Sequence, residues 1–280
     1  MKKGILYSIQ KNFWYLIFVL MVMVLVGFPL FWMASSSFKP SVELFKSPPL
    51  ILPETPTLHW YMSAFSDSTV IRYFINSLIV SLSTMGINIV IATLGAYSLA
   101  RFSYRGRRFI TAAILSAYCI PPIMLMIPLY RIIAGMGMNS SYAGVVLGHL
   151  TLTLPFCVWI LIPFFRKVPK EMEEAAIIDG ASAFNVFWCI ILPVCIPGIL
   201  SAGIMVFILS WNEYLLSSVL VMSDTMKTLT VGLANYISST EIDWGTIMAL
   251  GTATTLPIVI MFSAIQKYFV EGLTAGAVKG

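Results

Sequence analysis

An acidic, small-residue segment, Glu173-Glu174-Ala175-Ala176-Ile177-Ile178-Asp179-Gly180-Ala181, separates two long apolar stretches and leads, after a short aromatic run, to Ile191-Leu192-Pro193. Its carboxylates can pair with a basic surface, its alanines allow close packing, and Asp179-Gly180 supplies a turn. This is the chemistry of recognition by charge and shape. The other reactive residue types are dispersed. Cys119, Cys157, Cys189 and Cys195 lie in or beside apolar stretches, match no zinc spacing, and read as small apolar side chains. His59 and His149 accompany no carboxylate cluster in sequence, so no metal site is expected. The chain contains no G-x-x-x-x-G-K-[ST] phosphate cradle, and no embedded run of paired acids or histidines suited to a proton relay. No His, Asp and Glu set suited to intramembrane hydrolysis occurs either. A non-enzymatic chain that binds no cofactor itself is the expectation.

The elements that position this segment are membrane helices. Of 280 residues 59% are apolar and only 10% charged, against about 25% charged in a soluble domain. That composition, with a mean hydropathy of +0.90, implies an integral membrane protein. The net charge of +5 does not point to nucleic acid, because the bases sit in small clusters between apolar runs.

Six spans are predicted, near Phe13–Ala34, Tyr73–Ala100, Phe109–Tyr130, Tyr142–Phe165, Pro193–Asn212 and Trp244–Gln266. Each approaches or exceeds the ~20 residues a helix needs to cross hydrocarbon, and only helices satisfy their own backbone there. The first run, flanked by Trp14 and Trp32, reads as a retained anchor and not a cleaved signal. Twelve of the basic residues then fall on the side of both termini, including Arg101, Arg105, Arg107, Arg108, Arg166, Lys167 and Lys170. Five fall on the other side: Lys39, Lys46, Arg72, Arg131 and Lys227. The positive-inside rule therefore puts both termini and the acidic segment in the cytoplasm.

The implied organisation is a tail and first span over 1–34, an outer loop over 35–70, a helical core over 71–266 and a cytoplasmic tail over 267–280. The outer loop, rich in Pro and Ser, reads as extended, with a short interfacial helix near Leu58–Met62. Leu215–Met222 is too short to span and reads as a helix at or dipping into the interface. Pro121, Pro122, Pro128, Pro155, Pro163, Pro193, Pro197 and Pro257 fall within or at the start of spans, as hinges or as prolines that membrane helices simply tolerate. Asn76, Asn212 and Glu213 are candidate polar groups of a pathway or its outer rim; for Glu213, helix termination at the outer interface is the competing role.

Within the loop at 169–193, Pro169 ends the fourth span region and Glu171–Glu174 opens a helix whose dipole favours acids in the first turn. Asp179-Gly180 ends it, and Ser182 caps a second helix bearing Phe184 and Phe187 on one face with Trp188 beside them. Two readings stand on the residues alone. One is an interfacial hairpin with its charges in water; the other is a stiff knob docked in a cleft of a soluble partner, with Glu174 needing a basic group.

Glu174-Ala175-Ala176, Asp179-Gly180-Ala181, Phe187 and Ile191-Leu192-Pro193 resemble the EAA loop of ABC importer permeases. Ser37-Phe38-Lys39-Pro40, Asn76-Ser77, Ala96-Tyr97-Ser98-Leu99-Ala100-Arg101-Phe102 and Trp211-Asn212-Glu213-Tyr214 extend the likeness to the binding-protein-dependent carbohydrate branch typified by the maltose-type G subunit. The likeness runs from the first span to the C-terminus. It implies an all-α, type I ABC importer permease core in the cytoplasmic (inner) membrane of a prokaryote. It further implies half of a sugar pathway, made with a second homologous permease, two ATPase subunits carrying ATP and Mg, and an extracytoplasmic solute-binding protein. Glu174, Ala175, Ala176, Asp179, Gly180, Ala181, Phe187 and Pro193 would couple to the ATPase. Glycerol phosphate or another non-sugar solute is the alternative cargo, and a secondary transporter the alternative class.

Overall fold

A computed structural model describes the backbone of residues 2–237 and 243–277, and the side chains of 13–234 and 243–263. The side chains of Lys2, Lys3, Lys11 and of the 267–280 tail thus lie outside the described residues, as do 238–242 of the 214–243 connection. The architecture is all-α among the described residues. The principal helices are α1 (Lys2–Ser36), α2 (Ser68–Arg101), α3 (Arg107–Tyr118), α4 (Pro122–Gly135), α5 (Tyr142–Lys167) and α6 (Lys170–Ile178). There follow α7 (Ala183–Trp211), α8 (Leu215–Leu220), α9 (Leu229–Ile237) and α10 (Trp244–Ala277). Among the described residues, five helices are long and apolar enough to cross a membrane by themselves, and α3 with α4 forms a bent pair that makes up to six.

That bent pair corrects the expected third span. Instead of one helix over Phe109–Tyr130, two helices meet at 101° around Cys119–Pro121. The cause is local: Pro121 is extended at φ −57°, ψ 131°, and Pro122 opens the next helix. A proline disfavours helical geometry in the residue before it, so successive prolines end one helix and start another. Pro155, Pro163 and Pro197 remain inside continuous helices.

The chain divides into two compact units. One comprises 1–68 with 235–256. In it the 35–68 segment is less open than its composition suggests, with helical turns at Ser41–Leu44 and His59–Ser66. Lys39 is buried, its ammonium donating to Leu50 O at 2.6 Å and lying 4.2 Å from the Trp32 ring centroid. Burial pushes its pKa down, while nearby Glu43 opposes that. The Glu43 carboxylate accepts the Thr55 hydroxyl and the backbone N–H groups of Glu54 and Thr55. The Thr55 bond leads the effects that hold this carboxyl below its ordinary pKa, against a smaller desolvation cost.

The other unit comprises 69–234 with 257–280. Here α2 turns a narrow face of small and polar residues inward, including Asn76, Ser77, Ser81, Thr84, Asn88, Ala92 and Ala96. Their three-to-four spacing puts them on one side of a helix, and small residues let membrane helices approach closely. Ala92, Ala96 and Leu99 of α2 share a core with Cys157, Leu161 and Phe165 of α5 and Ile191, Cys195 and Val206 of α7. Cys157 and Cys195 are thus buried apolar side chains, whereas Cys119 and Cys189 are exposed; all four are free. Where α7 crosses α5, a Cβ on Gly198 would stand 2.4 Å from the Phe164 ring, so only glycine fits. The helix at Leu215–Leu220 is present, and Leu216, Ser217 and Leu220 are buried by protein, with the two leucines in a core with Val80, Ile133, Val145 and Val146.

Candidate functional site

The acidic segment forms a compact helix–turn–helix between α5 and α7. Val168 is buried and Pro169 extended, so α5 ends sharply before α6 begins. Glu171 and Glu173 occupy the first turn of α6, where the helix dipole favours them. At the other end, Gly180 N–H donates to Ile177 O at 3.0 Å and Ala181 N–H to Ala176 O at 2.9 Å. These two bonds are a Schellman termination, with Gly180 at φ +85°, a conformation that glycine adopts without a Cβ penalty. Ser182 then caps the following turn, its Oγ accepting from Asn185 N–H at 3.3 Å.

The second arm differs from the expected short helix. It runs without interruption into the fifth span, making α7 a 29-residue helix, and Val186–Ile191 within it is π-helical. The wider turn separates residues that would align on an α-helix. Phe187 is buried while Phe184 is 68% exposed, so the two do not share a face. Trp188 is exposed and contacts both rings.

The predicted coupling residues divide into two groups. Glu174, Ala175, Asp179, Gly180 and Pro193 are exposed. Ala176 and Phe187 are buried and Ala181 is half-buried, so these three seat the loop on the spans. The paired alanines are therefore not one outward face, because one of them points into the core. Two seating residues were missed on sequence. Arg101, at the end of α2, lies with Nε 2.8 Å from Glu173 Oε1, and its guanidinium also donates to Val168 O. The Nε–H is not aligned on that oxygen, so the contact is an ion pair rather than a directed hydrogen bond. Tyr97 packs against Phe187 in a tilted arrangement, with ring centroids 4.7 Å apart and planes at 48°.

A second polar centre lies at the far end of α7. A cleft of about 450 Å³ is lined by Tyr118, His149, Thr151, Ser210, Asn212 and Glu213, among others. Asn212 donates to Ile208 O at 3.0 Å. Glu213 accepts the backbone N–H groups of Leu216 at 2.7 Å and Ser217 at 2.9 Å, capping α8. It also meets His149 Nε2 at 3.2 Å. His149 therefore does pair with a carboxylate, one that lies far away in sequence; its Nδ1 meets Ser210 Oγ at 2.7 Å. Desolvation raises the Glu213 pKa, but the bonds from His149, Leu216 and Ser217 outweigh it and hold the group below its ordinary value. Asn76 stands apart from this cleft. It donates to Thr225 O and Lys227 O and accepts from Tyr142, which ties α2 to the segment before α9. Among the described residues no His, Cys, Asp and Glu group is arranged to hold a metal.

Residues 89–274 match the family described as the binding-protein-dependent transport system inner membrane component. The chain belongs to that family. It is a multi-pass inner-membrane permease subunit of an ABC importer. The permease is 32% identical to the probable ABC transporter permease protein YurM of Bacillus subtilis (strain 168), over 94% of this chain and 87% of that one. It is 33% identical to the trehalose/maltose transport system permease protein MalG of Thermococcus litoralis, over 98% and 99% of the two chains. It is 34% identical to the sulfoquinovosyl glycerol transport system permease protein SmoH of Agrobacterium fabrum, over 90% and 89%. Its fold is that of a chain in the crystal structure of a bacterial ABC transporter that imports the acidic polysaccharide alginate, with a TM-score of 0.80, 20% identity and coverage of 96% and 98%.

Proposed function

We propose that this permease forms half of the pathway of an ATP-driven sugar importer and is driven through the loop at 169–193. The observation that carries the reading is the build of that loop. Its base is fixed by Ala176, Phe187 and the Arg101–Glu173 pair, while Glu174, Ala175, Asp179 and Gly180 face outward. A knob anchored on one side and open on the other transmits force, where a loose loop would dissipate it. Two ATPase subunits, carrying ATP and Mg, seat this loop and its counterpart on a second homologous permease. The excess of bases flanking the loop supports its cytoplasmic location.

A sugar cargo is supported by relatives whose names specify trehalose, maltose, diacetylchitobiose and sulfoquinovosyl glycerol transport. An extracytoplasmic solute-binding protein delivers it. Asn212 and Glu213 stand at the cleft end of α7 as rim groups of the pathway, with Glu213 also capping α8. Asn76 serves to fix α2 and not to touch solute. The test is reconstitution of the importer with its binding protein, and uptake of radiolabelled trehalose, maltose and diacetylchitobiose with and without internal ATP. ATP-dependent uptake of one of them is expected. Uptake of none, together with ATP-dependent uptake of glycerol phosphate, would overturn the sugar reading.

A further inference from the structure

The loop has two arms, α6 on one side of the Gly180 turn and the start of α7 on the other, and one end of α2 touches both. Arg101 has a side chain only 5% exposed, with Nε 2.8 Å from Glu173 of the first arm. Its guanidinium donates to the carbonyl of Val168, two residues before that arm. Four residues earlier, hence on the same helix face, Tyr97 packs against Phe187 of the second arm. The same ring meets Phe165 at the end of α5, with centroids 5.7 Å apart. Leu99 shares the core that also contains Ala176 and Val186, one from each arm.

We propose that Tyr97 and Arg101 form a clamp that makes α2 move with the loop, so that the second span also receives displacement from the ATPases. This rests on the loop being the ATPase-docking element. Spans four and five are joined to the loop by backbone. By contrast, α2 reaches it only across space, Arg101 and Val168 being separated by 67 in sequence. Separating the loop from α2 would strand a buried guanidinium without its counter-charge, which is far more costly than keeping the pair together. Because the contact acts through charge and not an aligned hydrogen bond, small rotations of α6 are tolerated while separation is opposed. Tyr97 adds apolar ring contacts to both Phe187 and Phe165, which oppose detachment of the π-helical arm. Both act as positioning residues: the Arg101 side chain is almost fully buried, and Tyr97 is half-buried against Phe165 and Phe187.

The test uses the complete importer, purified through a tag on this chain, in lipid nanodiscs. Spin labels are placed at exposed Lys170 on α6 and exposed Val90 on α2, after Cys119 and Cys189 are replaced by serine. Their separation is read by pulsed electron paramagnetic resonance, without nucleotide and with ATP, magnesium and vanadate. In the native background the separation should hold when nucleotide is trapped. In Arg101→Gln it should shift by about 2 Å, the scale of helix displacements in switching proteins, or broaden. The charge swap Arg101→Glu with Glu173→Arg should restore the native response. Tyr97→Leu severs the other contact and should shift the separation likewise, which covers the case in which Arg101→Gln does not assemble. A nucleotide response identical in native, Arg101→Gln and Tyr97→Leu proteins, with ATPase retained in each, overturns the clamp alone. Loss of the ATPase subunits from both Arg101→Gln and Tyr97→Leu, with the native complex intact, also overturns it by making these residues part of docking. Absence of ATPase from the native preparation overturns the coupling reading and the clamp with it.

Discussion

Glu173 and Glu174 are neighbours in sequence with opposite roles: Glu173 is ion-paired with Arg101, 2.8 Å away, while Glu174 faces solvent. Adjacent helical residues differ by about a quarter turn or more in direction, so one carboxylate can anchor the loop while the next remains available to a partner. The pair is thus one anchored and one exposed carboxylate, not a uniform charged patch.

Glu174→Lys should therefore weaken ATPase association and leave the permease folded. Removing a hydrogen-bonded charge from an interface costs about 2 kcal/mol or more, or some 30-fold in affinity. Co-purification of the ATPase with tagged permease checks this, with the melting temperature of the permease as control. Unchanged association would remove Glu174 from the docking surface.

Stability in acid should report on Glu213. Its folded pKa lies below the ordinary 4.5, so its contribution is fully present above 4.5 and is lost as pH falls through the lower folded value. Glu213→Gln should cost about 2 kcal/mol at neutral pH, the scale of hydrogen bonds to a charged group, and should flatten the loss of stability below pH 4.5. Thermal unfolding of purified protein between pH 7 and pH 3 checks both (a pH range in which ordinary carboxylates titrate). An unchanged acid slope in the variant would contradict the assignment.

Asn76→Leu should lower stability by about 1–3 kcal/mol, because the carbonyls of Thr225 and Lys227 and the Tyr142 hydroxyl lose their buried partner. Uptake KM should stay at its native value once protein level is matched. A raised KM with native stability would return Asn76 to the solute pathway.

The spans, their order and the turn at Gly180 were legible because each is written in local composition: apolar length, a break residue, a capping serine. The long-range pairs were not. Arg101 reads as an ordinary cytoplasmic base until α2 and α6 are brought together, and His149 has no carboxylate near it in sequence although Glu213 meets it in space. The break at Cys119–Pro121 was signalled by paired prolines, yet the uncharged window around them favoured one continuous span. The π-helical turn at Val186–Ile191 carries no comparable mark, so Phe184 and Phe187 were expected on one face. What local pattern misses is the partner across the bundle, and that partner decides which members of the acidic segment are anchored and which stay exposed.

The docking role of the loop is tested most directly at Gly180. Among the described residues, no atom beyond the adjoining residues lies within 4 Å of a Cβ there, but φ is +85°, so a β-branched residue would distort the Schellman turn and add bulk to the exposed tip. In Gly180→Val, ATP-driven uptake measured against quantified permease in the membrane should fall to background while the protein remains inserted. Near-native uptake by that variant would contradict the reading of the loop as the element through which the ATPase moves the permease.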